Sequence, residues 1–270
     1  IDSQLSQAQD DEEIILSQFP RGTRTGHFFH GLFEHLDFKA TSEAVAQDIK
    51  KRLALSGFNV ETWTEPVTRV VKEVLQTQLL KETSLQLSDL SRESRLDELG
   101  FVLSTDRLGH FTPTALGEIF TLHGGHLPGG LAGRLGQLSF SAVRGALKGF
   151  IDLVFVHEDR WYLLDYKSNH LGEKASDYNP SCIEEAMESA LYYLQYHLYT
   201  VALHRFLNSR LPGYNYETHF GGVLYLFIRG MSVSKGETQG VFFDRPPEAL
   251  INALDSTFSG GQDWEVKNVS

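Results

Sequence analysis

The spacing of apolar positions divides this chain into a helical first third and a mixed remainder. Phe29, Leu32, Phe33 and Leu36 recur at helical intervals behind Thr25, predicting a helix from Thr25, its cap, to about Phe38. A second helix is predicted from Ser42 to about Leu55, stopped by Gly57, and a third from Thr64 to about Leu80 with Val67, Val70, Val71, Val74 and Leu75 as its buried stripe. The period then changes to two. Arg92 to Leu103 alternates as a strand, with Leu99, Phe101 and Leu103 on one face and Glu98 on the other. A helix capped by Thr112-Pro113 interrupts a glycine-rich stretch, 104–136, that otherwise reads as flexible loop, and Gln137 to Val143 reads as a strand.

Lys148 to Ser168 reads as a β-hairpin, two runs rich in β-branched and aromatic residues around the polar turn His157-Glu158-Asp159-Arg160. A two-residue loop (158–159) and a four-residue loop (157–160) give the same register. Val156 then faces Trp161, Asp152 faces Asp165, and Phe150 faces Lys167, with Asp152, Asp165 and Lys167 on one face and Tyr166 on the other. Two carboxylates about 5 Å apart repel by roughly 3 kcal/mol at an effective dielectric near 20. A shared proton, the Lys167 ammonium or a bound divalent cation would each offset that repulsion. Oxygen-rich, partly hydrated sites of this kind suit Mg²⁺.

After a polar loop, 168–180, Ser181 and Glu184 form a capping box for one long helix to about Arg210, closed by Pro212-Gly213. Ile183, Met187, Ala190, Leu194, Leu198 and Val201 make its core stripe, while Glu188, Tyr192, Gln195 and Tyr199 line another face. Gly222 to Ile228 is nearly all apolar, as in a strand buried on both faces. A short strand at Val241–Phe243 and a helix from Pro247 to about Phe258 follow.

Composition narrows the function classes. A length of 270 residues with 41% hydrophobic and 22% charged residues is that of a globular protein. The first residue is Ile, so a fragment of a longer chain is expected. Cys182 is the single cysteine, which excludes an intramolecular disulfide and a cysteine-based zinc cage and fits a reducing, cytoplasmic setting. No apolar run approaches the ~20 residues of a membrane span, and no signal peptide is visible. The chain has no G-x-x-x-x-G-K-[ST], hence no NTPase motor of that type. A net charge of −11 opposes autonomous binding to nucleic acid. The acidic excess sits partly at Asp10 to Glu13 and at Glu184, Glu185 and Glu188, while Arg21, Arg24, Arg134, Arg144 and Lys148 form the basic groups. A nucleic-acid role therefore needs a local basic patch or a partner that delivers the strand.

The pattern G-F-I-D-x₁₂-D-Y-K, carried by Gly149, Asp152, Asp165, Tyr166 and Lys167, resembles the PD-(D/E)xK nuclease motif, and more closely its RecB-type branch. Gln195-x-x-x-Tyr199 matches the Q-x-x-x-Y element of RecB-type nucleases, and Phe220 to Gly230 looks like the strand that follows it. The resemblance runs from about Phe19 to about Leu250. It implies an α/β restriction-endonuclease-like core, a mixed central sheet flanked by helices, with an N-terminal helical portion. The expected division is a linker or disordered entry at 1–18, one nuclease domain at 19–260 (helical portion 19–90, core 91–260) and a tail at 261–270.

The same resemblance implies a Mg²⁺-dependent deoxyribonuclease, with Mn²⁺ as a plausible substitute. Asp152, Asp165 and the carbonyl of Tyr166 would hold the ion. The run Gly26 to Glu34 resembles the segment that supplies a metal-binding histidine, with His30 at the matching position and His27 as its rival. Glu98 matches an acidic residue that joins the site, although the family tends to carry a second Glu where this chain has Gly100. Lys167 would orient water or neutralise a phosphate oxygen; Gln195 would hydrogen-bond a base or phosphate and Tyr199 would stack on the substrate or orient it. Implied partners are single-stranded DNA delivered by a motor, RecC-type and RecD-type subunits and a RecA-type recombinase, in a bacterial cytoplasm. A catalytically weak docking module of the same fold and a phosphohydrolase acting on small nucleotides are the competing readings.

Overall fold

The computed structural model describes residues 12–105, 111–139 and 145–258, together with the backbone of 264–266. Its elements in chain order are α1 (Thr23–His35), α2 (Ser42–Leu55), α3 (Val60–Gln76), β1 (Arg95–Ser104), α4 (Pro113–His123), α5 (Leu131–Gly136), β2 (Ala146–His157), β3 (Arg160–Lys167), α6 (Pro180–Ser189), α7 (Tyr192–Arg210), α8 (Tyr216–His219), β4 (Phe220–Phe227), β5 (Val241–Asp244), α9 (Glu248–Asp255) and β6 (Trp264–Val266). Among the described residues no helix is long and apolar enough to cross a membrane.

The strands form one mixed sheet in the order β5-β4-β3-β2-β1-β6. Only the β3–β4 pair is parallel, joined by the α6–α7 crossover that such a pair requires. Each face of the sheet carries its own core. Leu163, Val223, Tyr225 and Phe227 pack beneath α4–α7 and α9. Leu164, Tyr166, Leu224 and Leu226 pack against α1–α3. Every residue of β4 is buried, which explains its continuous apolar run.

Several boundaries differ from the sequence expectations for identifiable reasons. Asn59 caps α3 by accepting from the Thr62 N–H at 2.8 Å, so α3 starts a turn before Thr64 and carries Pro66 inside it. Gly22, not Thr25, is the N-cap of α1; Thr25 is buried and its hydroxyl donates to the Pro20 carbonyl at 2.8 Å. The single helix expected from Ser181 to Arg210 is two. Asn179 caps α6 through the Cys182 N–H, and Leu191, at φ 56°, breaks the backbone before α7. No glycine or proline marks that break. Residues 137–139 are not a strand, and 140–144 of the expected Gln137–Val143 strand lie outside the described residues. Within the expected tail at 261–270, β6 pairs antiparallel with β1. Within the expected 1–18 linker, residues from 12 onward lie against the body: Leu16 is fully buried and the Ile14 N–H donates to the Glu173 carbonyl at 2.9 Å.

Arg229 fixes that entry segment. Its guanidinium is buried and donates to the carbonyls of Ser168, Leu16, Phe19 and Pro20 at 2.7–3.2 Å. Four carbonyls from two distant stretches thus share one cation, which ties the approach to α1 to the chain just after Lys167. Arg229→Ala should lower stability by about 3 kcal/mol or more, since buried acceptors lose a charged donor. Arg229→Lys should recover only part of it, lacking the planar fork. Denaturant unfolding checks this; a loss below about 1 kcal/mol would contradict the role.

Candidate active site

The site forms where the regular sheet gives way. The β2–β3 hairpin closes through a two-residue loop, Glu158-Asp159, both at positive φ (49° and 60°), the turn whose twist suits a hairpin. Its register is the expected one, with Val156 opposite Trp161, and runs to Leu153 opposite Leu164. There the ladder ends among the described residues, so the expected facing pairs Asp152–Asp165 and Phe150–Lys167 are not formed. The Asp152 carboxylate takes the place of a strand carbonyl, its Oδ2 accepting from the Tyr166 N–H at 2.9 Å. On β2, Phe155 and Leu153 join the core under α1–α3 while Ile151 joins the opposite one, so the alternation breaks at Asp152. On β1, Glu98 sits between the pairs Asp97–Leu153 and Leu99–Ile151 with φ 54°. A non-glycine residue in that region is a strained position of the kind found at functional sites.

The break turns Glu98 and Asp152 toward α1. His30, Glu34, Glu98, Phe150, Asp152 and Tyr166 line a cavity of about 160 Å³. His30 Nδ1 lies 2.9 Å from Asp152 Oδ2, whereas His27 is exposed on the helix. Of the two histidines, His30 is the one that reaches Asp152. Burial draws the His30 pKa down, but its hydrogen bond to Asp152 and the charges of Asp152 and Asp165 outweigh that, leaving it above the usual imidazole value. Tyr166 holds α1 against the sheet by stacking on Phe33, with ring centroids 4.3 Å apart. Glu34 joins the cavity because it stands one turn after His30 on α1.

Asp165 and Lys167 project toward α7, yet stay near enough to the first group for the charges of Asp152 and His30 to act on Asp165. Both are buried, at 2% and 8% exposure, and Lys167 Nζ lies 2.6 Å from Asp165 Oδ2. Burial lifts the Asp165 carboxyl to about 7; the Asp152 charge adds to the rise and Lys167 opposes it. The ammonium is held from several directions. It donates to Gln195 Oε1 at 3.0 Å and lies 4.0 Å from the ring centre of Tyr192 and 4.8 Å from that of Tyr225. Gln195 Oε1 also accepts from the Tyr225 hydroxyl at 2.9 Å, and its Nε2 donates to the Tyr199 hydroxyl at 3.0 Å. The Q-x-x-x-Y face of α7 is therefore the wall behind Lys167. Tyr192 and Tyr225 complete that wall, and only the strand register could have indicated Tyr225, which stands beside Asp165.

Whether these residues suit a divalent cation turns on Asp165. Its Oδ2 is fully buried and, despite the nearby ammonium, has no well-directed hydrogen bond. A buried carboxylate oxygen left in that state favours a cation beside it. Carboxylates with one imidazole form a donor set that accepts Mg²⁺ or Mn²⁺. The ligand atoms of His30, Asp152 and Asp165 do not all lie within 4.8 Å of one another, so an ion shared by both carboxylates requires their side chains to draw together.

The raised pKa values set a pH dependence. Between the unfolded value near 4 and the folded value of about 7, Asp165 holds a proton in the folded state that the unfolded chain has released. Metal-free stability should therefore be fullest below pH ~4 as far as this group is concerned, and fall as pH rises to ~7, by up to about 1.4 kcal/mol per unit. Asp165→Asn should flatten this slope in urea titrations across that window; an unchanged slope would contradict the assignment.

The sequence profile of the PD-(D/E)XK nuclease superfamily matches residues 7–261. RecBCD enzyme subunit RecB of Escherichia coli is 44% identical over 93% of this chain and 20% of its own length. The Haemophilus influenzae subunit of the same name is 37% identical over 92% of the chain and 19% of its own length, and that of Mycobacterium tuberculosis 34% over 92% and 24%. The chain thus spans about a fifth to a quarter of these relatives. Nucleases of the superfamily use divalent metal ions. The profile takes in the helical layer, strands β1 to β5 and both sides of the broken ladder, and this chain belongs to the PD-(D/E)XK nuclease superfamily.

Proposed function

We propose that residues 19–260 act as one nuclease unit that hydrolyses phosphodiester bonds in DNA with Mg²⁺, for which Mn²⁺ substitutes. The observation that carries this reading is the buried Asp165 carboxylate beside Lys167, next to an Asp152 already oriented by His30 and the Tyr166 N–H. Asp152, Asp165 and the Tyr166 carbonyl would hold the ion, with His30 and Glu98 supporting it directly or through water. When bound, such an ion supplies Lewis-acid stabilisation of charge on the phosphate.

The chain's own groups do the rest. Lys167 presents a fixed positive charge to a phosphate oxygen or to the attacking water, and its setting between two aromatic rings and an amide oxygen means little reorganisation accompanies the reaction. Gln195 acts by positioning Lys167, and Tyr199 borders an apolar recess lined by Phe101, Leu103, Leu147, Leu194 and Leu198, where an unstacked base would fit. The net charge of −11 fits a strand threaded in by a motor. The likeness to RecB extends the reading to RecC-type and RecD-type partners, a RecA-type recombinase, the bacterial cytoplasm and the processing of double-strand ends in recombinational repair.

The test is digestion of single-stranded DNA with Mg²⁺, run beside Asp165→Ala and beside a mononucleotide phosphodiester. DNA should be cleaved by the wild type, not by the variant, and in preference to the small substrate. Cleavage of the mononucleotide alone, or none with Mg²⁺ or Mn²⁺, would contradict the proposal. Lys167→Ala should lower turnover on the order of 10²–10³-fold while Mn²⁺ binding remains measurable; normal cleavage by this variant would remove its assigned role.

A further inference from the structure

Away from the broken ladder, His126, His197 and Asp244 bring one ligand atom each within 4.8 Å of one another. His126 sits in the turn between α4 and α5, His197 on α7, and Asp244 at the end of β5 opposite Val223. Asp165 lies two strands over and two residues further along the sheet, about 11 Å away by ordinary strand spacing and rise. The two groups are therefore separate sites.

His197 is the informative member. It is fully buried, and its Nδ1 lies 2.6 Å from the Tyr193 carbonyl. A carbonyl can only accept, so Nδ1 carries the proton and Nε2 presents a lone pair. That Nε2 is buried and has no hydrogen-bond partner. The ring cannot swing away to find one, being stacked on Tyr196 at 4.3 Å and edge-on to Phe120 at 5.0 Å. Asp244 Oδ2 is oriented by the Tyr196 hydroxyl at 2.7 Å and stands 3.5 Å from His126 Nε2. A separation near 3.4 Å is what two ligands about 2.0–2.1 Å from a tetrahedral ion adopt. An imidazole whose other nitrogen donates to a backbone carbonyl is the usual arrangement for a metal-bound histidine.

We propose that His126, His197 and Asp244 form a second metal site for a borderline divalent ion of the Zn²⁺ class, with water as the fourth ligand. Two imidazoles and one carboxylate favour such an ion over Mg²⁺, which prefers an all-oxygen shell. The ion would clamp the α4–α5 turn to α7 and to the edge strand β5, across the helical layer that supports Gln195 and Lys167.

The test uses the 270-residue chain carrying Asp152→Asn and Asp165→Asn, so that the catalytic carboxylates do not contribute. Zn²⁺ is titrated calorimetrically and Co²⁺ is followed by its visible ligand-field absorption. One equivalent per chain is expected, with the intense Co²⁺ band of a four-coordinate site. His126→Gln, in an exposed turn, and Asp244→Asn should each weaken binding by at least about 10–100-fold. Zn²⁺ should raise the melting temperature of the parent chain but not of His126→Gln. No bound equivalent, or binding that both variants leave unchanged, would overturn the proposal.

Discussion

A carboxylate buried beside an ammonium, Asp165 against Lys167, is the constraint around which the rest of the structure is arranged. Either charge alone in that position would be strongly unfavourable, and the pair is tolerable because each group has further support. Lys167 has the Gln195 oxygen and the faces of Tyr192 and Tyr225. Asp165 Oδ2 has the ammonium beside it and no well-directed hydrogen bond among the described residues; burial and the Asp152 charge raise its pKa, and the same setting suits it to a cation. Placing the pair requires β3 to be central, parallel to β4 on one side and antiparallel to β2 on the other. It also requires α7 to begin at Tyr192, so the helix break at Leu191 serves the site as much as the fold.

The second constraint is the interruption of the sheet at Glu98 and Asp152. A regular ladder would have set Asp152 against Asp165 with nothing between them. By parting from β3, β2 gives its carboxylate to the Tyr166 N–H and to His30. The repulsion is relieved by parting the two carboxylates, one held by the Tyr166 N–H and His30 and the other by Lys167. The helical layer is thereby recruited to the chemistry, since α1 contributes His30 and Glu34, and Arg229 holds the approach to α1 in place.

Much of this was legible in the sequence. The hairpin register from the turn to Leu153 and the unbroken apolar run of β4 follow from alternation and turn chemistry, Asp152, Asp165 and Lys167 follow from motif spacing, and His30 follows from the resemblance to RecB-type nucleases alone. What periodicity could not show is where periodicity stops. The positive φ of Glu98 and of Leu191 occurs without glycine or proline, imposed by tertiary packing. The contact of the Gln195 oxygen with Lys167 depends on how α7 lies over β3 and β4, which no spacing along one helix shows. The His126, His197 and Asp244 group was likewise out of reach, because its members are far apart in sequence and share no spacing.

The most direct measurement of the central claim is Mn²⁺ binding followed by electron paramagnetic resonance in a His126→Gln background, comparing that chain with one also carrying Asp152→Asn and Asp165→Asn. The account predicts at least one bound Mn²⁺ per chain in the first and loss of that ion in the second. Equal binding in both would show that the two aspartates do not hold a cation, and the catalytic account would fail.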